Sequence, residues 1–194
     1  MLSGGLSRNF DVALPVGVRD SLDIGCGPNK VGTVGMDRVG FPGVDVVHDL
    51  RKSPWPFPNG SFRRVIARQV LEHLPRTGVD DDDLLFDVMR ESHRVLVPGG
   101  TMQIEVPHED SLEAWGSPAH QRAFNEDTFA HFLPTRSPYW RKPIFRSMRV
   151  WVDRRIRAFG LTEWNLIDRA PRLYRALCMA HVGRPRNLHV ELVK

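Results

Sequence analysis

Ser21-Leu22-Asp23-Ile24-Gly25-Cys26-Gly27-Pro28-Asn29 reads as a short buried strand that runs into an acidic turn studded with glycine. A backbone that approaches a ligand closely needs residues without a Cβ, and Gly25 and Gly27 can take dihedrals that other residues reach only under strain. The turn is a candidate cofactor cradle at the end of a strand. Working outward, Val31 to Asp37 and Val44 to Asp49 are two more apolar runs that end in an acid, and Val65 to Gln69 reads as a fourth strand. Between them, the segment from Ser53 to Gly60 carries three prolines and the turn dipeptide Asn59-Gly60, so it is a loop.

Val70-Leu71-Glu72-His73-Leu74 reads as one helical turn stopped by Pro75. The pairs Leu84-Leu85, Val88-Met89 and Val95-Leu96 recur at the spacing of an amphipathic helix. Asp80 to Asp83 precede it, where carboxylates meet the positive end of the helix dipole and cap free amides. No histidine is paired with those four acids in the sequence, so no metal site is expected. Pro98-Gly99-Gly100 is read as the end of the helix, and Thr101 to Val106 as a fifth strand closed by Pro107. Strand, helix and strand in alternation predict a parallel sheet covered by helices. Further on, Met148, Val150 and Val152 alternate as a strand does, Pro171 to His181 reads as helix, and Asn187 to Val193 as a last strand.

A chain of 194 residues supports one domain with one sizeable core, and no linker divides it. No apolar run approaches the ~18 residues that span a bilayer, and Met1 to Phe10 lacks the apolar core of a signal peptide. No membrane insertion is expected, and the location expected is cytoplasmic. Cys26 and Cys178 form neither a metal spacing nor a disulfide framework, and both are expected as reduced thiols. The net charge of +4 conceals an asymmetry: residues 1–133 hold 13 Lys and Arg against 19 Asp and Glu, and residues 134–194 hold 14 against 4. A basic last third suits anionic partners, nucleic acid among them, and equally well forms a solvated surface.

In open α/β sheets, ligands bind outside the carboxyl ends of the strands, where these acids and glycines fall. A dinucleotide fingerprint needs a third glycine and an acid ~20 residues onward. Here Pro28-Asn29-Lys30 follows Gly27, and Asp37 comes too early. An NAD enzyme is therefore disfavoured, and Asp23 beside the turn would repel a pyrophosphate. A ligand with a cationic centre, an amino group, a ribose and an adenine fits better. Asp23 suits the cationic or amino group, Asp37 the ribose hydroxyls, and Asp49 with the Leu50 amide the adenine edge.

At these residues the chain resembles the class I methyltransferases that use S-adenosylmethionine, in particular the type 11 family. Leu22 to Gly27 is similar to the family's first motif, and Gly35-Met36-Asp37 to its ribose-binding acid. His48-Asp49-Leu50, with the proline-rich loop to Ser61-Phe62, resembles the adenine side. Gln69 to Leu74 is similar to the segment that the family places beside the methionine moiety and the transferable methyl. Met89 to Gly100 resembles the helix-to-strand junction, and His120 to Phe124 with Thr128-Phe129 a later signature. The likeness covers residues 20 to 130. Two departures stand out: the interval to Asp37 is short, with a loop where the first helix usually lies, and Arg63 stands where the family often has Asp.

The resemblance implies a Rossmann-like, three-layer α/β fold, mostly parallel, with an antiparallel C-terminal strand. It implies one domain over residues 1–194, with a cofactor core at 20–107 and substrate-side elements at 108–194. Asp23, Gly25, Cys26, Gly27, Asp37, Arg38, Asp49, Leu50 and Gln69 are the expected cofactor contacts. His73 and His108 are the candidate bases for transfer to an oxygen, nitrogen or carbon nucleophile. His120 and Arg122 are candidates for holding a substrate anion, against the alternative that they form an ion pair with Glu109, Asp110 or Glu113. Trp115, Trp140 and Trp151 would wall an acceptor site or lie in the core. The alternative function is an inactive methyltransferase fold that binds nucleic acid or protein through its basic last third.

Overall fold

The structure, a computed structural model, describes residues 17–76, 83–134, 144–155, 167, 170–179 and 183–194. Seven strands form one sheet: β1 (Arg19–Ile24), β2 (Val34–Asp37), β3 (Val46–Val47), β4 (Phe62–Arg68), β5 (Leu96–Pro107), β6 (Ser147–Arg155) and β7 (Arg184–Val193). Their spatial order is β3-β2-β1-β4-β5-β7-β6. β1 to β5 pair in parallel, and β7 runs antiparallel to both β5 and β6. The parallel part is what the alternation of apolar runs predicts, and the Rossmann-like form with an antiparallel strand near the C-terminus is what the resemblance implies. Parallel strands are covered on both faces, which is why four successive residues of β1, Ser21, Leu22, Asp23 and Ile24, are all buried.

Nine residues, 25–33, join β1 to the parallel β2, fewer than the dozen or so of a helical crossover. Two side chains of β1 stitch this loop down. The Asp23 carboxylate accepts from the Val31 amide at 2.8 Å, and the Ser21 hydroxyl accepts from the Thr33 amide at 2.9 Å. They also explain why β2 begins at Val34 rather than at Val31, since those amides face β1 side chains and not a strand ladder. β3 is likewise shorter than the run from Val44 to Asp49 suggests, and closes the sheet as a two-residue edge.

Helix α1 (Leu84–Val95) connects β4 to β5. Asp83 caps it, its carboxylate accepting from the Leu85 amide at 2.8 Å, while Asp80 to Asp82 lie outside the described residues. Leu84, Leu85, Val88, Met89, Ser92 and Val95 form its buried face. One boundary differs from the reading of the sequence. The helix stops at Val95, and Leu96 already pairs with Phe62. The next matched pair is Arg64 with Thr101, so 97–100 bulge from the ladder, where the missing amide of Pro98 costs no strand bond. Two shorter helices are α2 (Leu112–Gly116) and α3 (Pro171–Met179); His181, expected in the latter, lies outside the described residues.

The proline-rich loop is anchored through α1. Glu91 accepts from the Trp55 amide at 2.6 Å, and Arg94 bonds Glu91 and donates to the carbonyls of Trp55 and Phe57. Trp55 and Phe57 thereby enter the core beside Phe62. The loop carries Asp49 and Leu50 on its leading edge, which fixes one wall of the cleft described next.

Candidate functional site

The strand order reverses between β1 and β4, the switch point at which open α/β sheets leave a crevice. A cleft of about 510 Å3 opens there, lined by Gly25, Asp37, Arg38, Val39, Phe41, Asp49, Leu50, Arg51, Gln69, Val70, His73, Leu74, Pro75 and Ala119. That volume lies within the ~300–1,000 Å3 of small-molecule sites. Apart from Ala119, the liners sit at or beyond strand ends: Gly25 after β1, Asp37 to Phe41 from the last residue of β2, Asp49 to Arg51 after β3, and Gln69 to Pro75 after β4.

The turn after β1 requires glycine at two places. Gly25 and Gly27 lie at φ of +63° and +53°, in the left-handed region. At Gly25 a Cβ would also stand 2.2 Å from a Val70 methyl carbon, so the β1 and β4 turns touch only because glycine is there. The Gly27 amide donates to Asp37 at 2.9 Å, and the Val39 amide donates to the other Asp37 oxygen at 2.9 Å. Each carboxylate oxygen retains a lone pair, suited to a pair of vicinal hydroxyls.

Asp49 is gripped by Arg51 through both carboxylate oxygens, and this pairing holds its pKa at about 2. Gln69 adopts φ of +50°, the one positive value at a non-glycine among the described residues. Such strain of ~1–2 kcal/mol persists where surrounding contacts impose it. Its amide donates to the Glu105 carbonyl at 2.8 Å, and its side chain reaches Glu105 and Asn187 at 3.4 and 3.3 Å.

The other expected cofactor contacts are placed differently. Asp23 is 1% exposed and holds the 25–33 loop, and it is absent from the cleft wall. Burial raises its pKa. Cys26 is buried behind the turn, and burial pushes its thiol up to about 11, with Asp23 and Asp37 adding to the shift.

Of the two candidate bases, only His73 lines the cleft. Its Nδ1 lies 3.2 Å from the Ala119 carbonyl, so that nitrogen carries the proton and Nε2 keeps its lone pair. His108 is 4% exposed, with Nε2 3.1 Å from Glu126 and Nδ1 accepting from the Asp110 amide at 3.1 Å. Both of its ring nitrogens are occupied in holding the turn after β5. Arg122 is equally committed: Nε and Nη2 donate to the Leu74 and Pro75 carbonyls at 3.0 and 2.6 Å, and Nη1 pairs with Asp83 at 2.8 Å. The acid it finds is Asp83, whereas Glu113 pairs with Arg155. Trp115 and Trp151 are exposed, Trp151 stacked on His189, and Trp140 lies outside the described residues.

Sequence reasoning passed over Glu72. It is 1% exposed, and neither carboxylate oxygen accepts a hydrogen bond from another described residue. Burial lifts its pKa to about 7, against the pull of its own amide and of His120. Its ligand atom, one from His73 and one from His120 all lie within 4.8 Å of one another. The only signal in the sequence is adjacency to His73; His120 is 47 residues away and arrives by folding.

The sheet order and the cleft at its switch point define a Rossmann-like fold with a candidate ligand site outside the strand ends. Residues 35–104 match a family model described as a methyltransferase domain. Among solved structures, a S-adenosylmethionine-dependent methyltransferase from Archaeoglobus fulgidus superposes with a TM-score of 0.60 at 16% identity, covering 92% of this chain and 87% of that one. One from Mesorhizobium loti gives 0.51 at 18% identity, covering 93% and 94%. Phosphoethanolamine N-methyltransferase 2 of Haemonchus contortus, in complex with S-adenosylmethionine, gives 0.54 at 15% identity, covering 93% of this chain and 50% of that one. No curated protein matches the sequence. The matched segment spans 70 of the 194 residues, and the superpositions show that the chain shares the fold of these methyltransferases. Among the described residues, no helix is long and apolar enough to cross a membrane.

Proposed function

We propose that the cleft between β1 and β4 holds S-adenosylmethionine with its adenosine toward Asp37 to Arg51 and its sulfonium toward Gln69, Val70 and His73. The observation that carries this reading is the convergence on one cleft of Gly25, Asp37, Asp49 with Leu50, and Gln69 from four different strand ends. Asp37 would accept from the ribose hydroxyls, with Arg38 beside it, and Leu50 would flank the adenine. Gly25 and Gly27 would leave room for the methionine part, and Asp23 and Cys26 would act from behind by shaping the turn. The sulfonium is already a strong electrophile, so the protein's task is to align donor and acceptor and to exclude water. The acceptor would enter at the end formed by His73, Pro75 and Ala119, where His73 Nε2 can orient it or take its proton.

Residues 1–194 are read as one domain, and the free thiols Cys26 and Cys178 favour a reducing compartment such as the cytoplasm. The acceptor, an oxygen, nitrogen or carbon nucleophile, is to be found by screening small metabolites, protein and nucleic acid. The last of these is included because of the basic last third, although Arg146, Arg154 and Arg155 there bond to the chain itself. Calorimetric titration with S-adenosylmethionine and S-adenosylhomocysteine tests the reading. Stoichiometric binding lost in Asp37→Ala supports it, and absence of binding by both compounds refutes it.

A further inference from the structure

We infer that Glu72, His73 and His120 form a binding site for a divalent transition-metal cation at the acceptor end of the cleft. Glu72 and His73 come from the 3-10 turn Leu71–His73 after β4, and His120 from the segment after α2. The two segments are fastened together by hydrogen bonds given from both sides. The Gln121 amide donates to the Glu72 carbonyl at 2.7 Å, the Ala119 carbonyl faces His73 at 3.2 Å, Arg122 donates to the Leu74 carbonyl at 3.0 Å, and Arg76 donates to the Gln121 carbonyl at 3.4 Å. The cluster is thus part of a built junction and does not depend on chance proximity of surface side chains.

Both histidines are prepared in the same way. His73 presents Nδ1 to the Ala119 carbonyl, and His120 presents Nδ1 to the Ala114 carbonyl at 3.0 Å. A carbonyl at Nδ1 fixes the proton there and leaves each Nε2 with a lone pair, the arrangement by which backbone carbonyls orient metal-binding imidazoles. The rings meet edge to face with centroids 4.8 Å apart. Glu72 supplies the independent observation. A carboxylate with 1% exposure and no partner for either oxygen among the described residues is costly to retain, and the ligand atoms facing it are those of two imidazoles.

Two imidazoles and one carboxylate suit Zn2+ or a neighbouring first-row ion, and three protein ligands leave at least one position open. With bonds of ~2.1 Å, ligand atoms around a tetrahedral ion stand about 3.4 Å apart. The present spread of up to 4.8 Å would have to close on binding, which a modest rotation of the exposed His73 ring about its contact with the Ala119 carbonyl would supply. His73 alone of the three lines the cleft, so an open position on that side of the ion would be available to an oxygen of the acceptor. The acceptor role rests on the methyltransferase reading, and it makes His73 a ligand instead of a base; the cation site itself does not depend on that reading.

The test is calorimetry of untagged, chelator-stripped full-length protein with Zn2+, Co2+ and Mn2+, together with the visible absorption of bound Co2+. One ion per chain is expected, with affinity falling at least ~10-fold in each of His73→Ala and His120→Ala. Neither change removes a core side chain, and Glu72→Gln, which keeps the buried volume, is expected to do the same. No stoichiometric binding of any of the three ions, or binding unchanged in both histidine variants, overturns the site. S-adenosylhomocysteine titrated into the same stripped protein separates the two readings. If it binds while no metal does, the cation site alone fails; if metal binds and it does not, the methyltransferase reading fails and the cation site stands.

Discussion

Gly25→Ala is the perturbation that most directly probes how the cleft is built. Alanine at φ of +63° costs ~1–2 kcal/mol for the left-handed backbone alone. Its Cβ would also lie 2.2 Å from a Val70 methyl carbon and 2.9 Å from the Val70 Cβ, and relieving such an overlap costs ~1–3 kcal/mol more. The sum is about 2–5 kcal/mol. Gly27 provides an internal control, because its φ of +53° is similar while nothing lies within 4 Å of its would-be Cβ. Gly27→Ala should therefore cost only the backbone part, ~1–2 kcal/mol. Val70→Ala removes the methyl at 2.2 Å but leaves the atom at 2.9 Å, so in that background Gly25→Ala should recover part of its penalty, about 1 kcal/mol or more. Urea denaturation of the four variants and the wild type closes the cycle, and each kcal/mol corresponds to roughly 2–4 °C in Tm for a chain of this size. Equal costs for Gly25→Ala and Gly27→Ala, or no coupling between positions 25 and 70, would refute the claim that the two turns are held in contact by a missing side chain.

Arg122→Ala should destabilise the fold by about 2–4 kcal/mol in urea, since it strands the Leu74 and Pro75 carbonyls and Asp83; a raised KM at unchanged stability would instead return Arg122 to substrate binding. His73→Ala should lower turnover while S-adenosylhomocysteine affinity stays within a few-fold by calorimetry. His108→Ala should act on stability, by ~1–3 kcal/mol, through loss of its contacts to Glu126 and the Asp110 amide; a turnover defect at full stability would contradict this. The Cys26 thiol, raised by burial from 9.0 to about 11, contributes stability that is whole below pH 9 and is lost as pH rises through about 11. Iodoacetamide at pH 8.5 should therefore label Cys26 far more slowly in the native protein than in urea, and equal rates by mass spectrometry would count against that environment.

The order of apolar runs and turn residues was enough to call for a parallel α/β sheet, because strand burial and helix amphipathicity are written in periods of two and 3.6 along the chain. Gly25 and Gly27 announced a tight left-handed turn after β1 for the same local reason: the conformation a glycine permits is a property of that residue. The bulge at 97–100 was not legible, since Pro98-Gly99-Gly100 breaks a helix and interrupts a strand with equal ease and only the pairing of Leu96 with Phe62 decides between them. Nor could the sequence say which acid or histidine faces the cleft. Asp23 and Asp37 both close strands, yet the short 25–33 loop needs one carboxylate to hold its amides, and Asp23 is the one turned that way. His73 and His108 both follow strands, but His108 is sealed between Glu126 and the Asp110 amide while His73 stays at the rim. The meeting of Glu72 with His120 was decided by tertiary structure alone, because the pairing of 119–122 with 72–76 is a long-range contact that leaves no periodic trace in either segment.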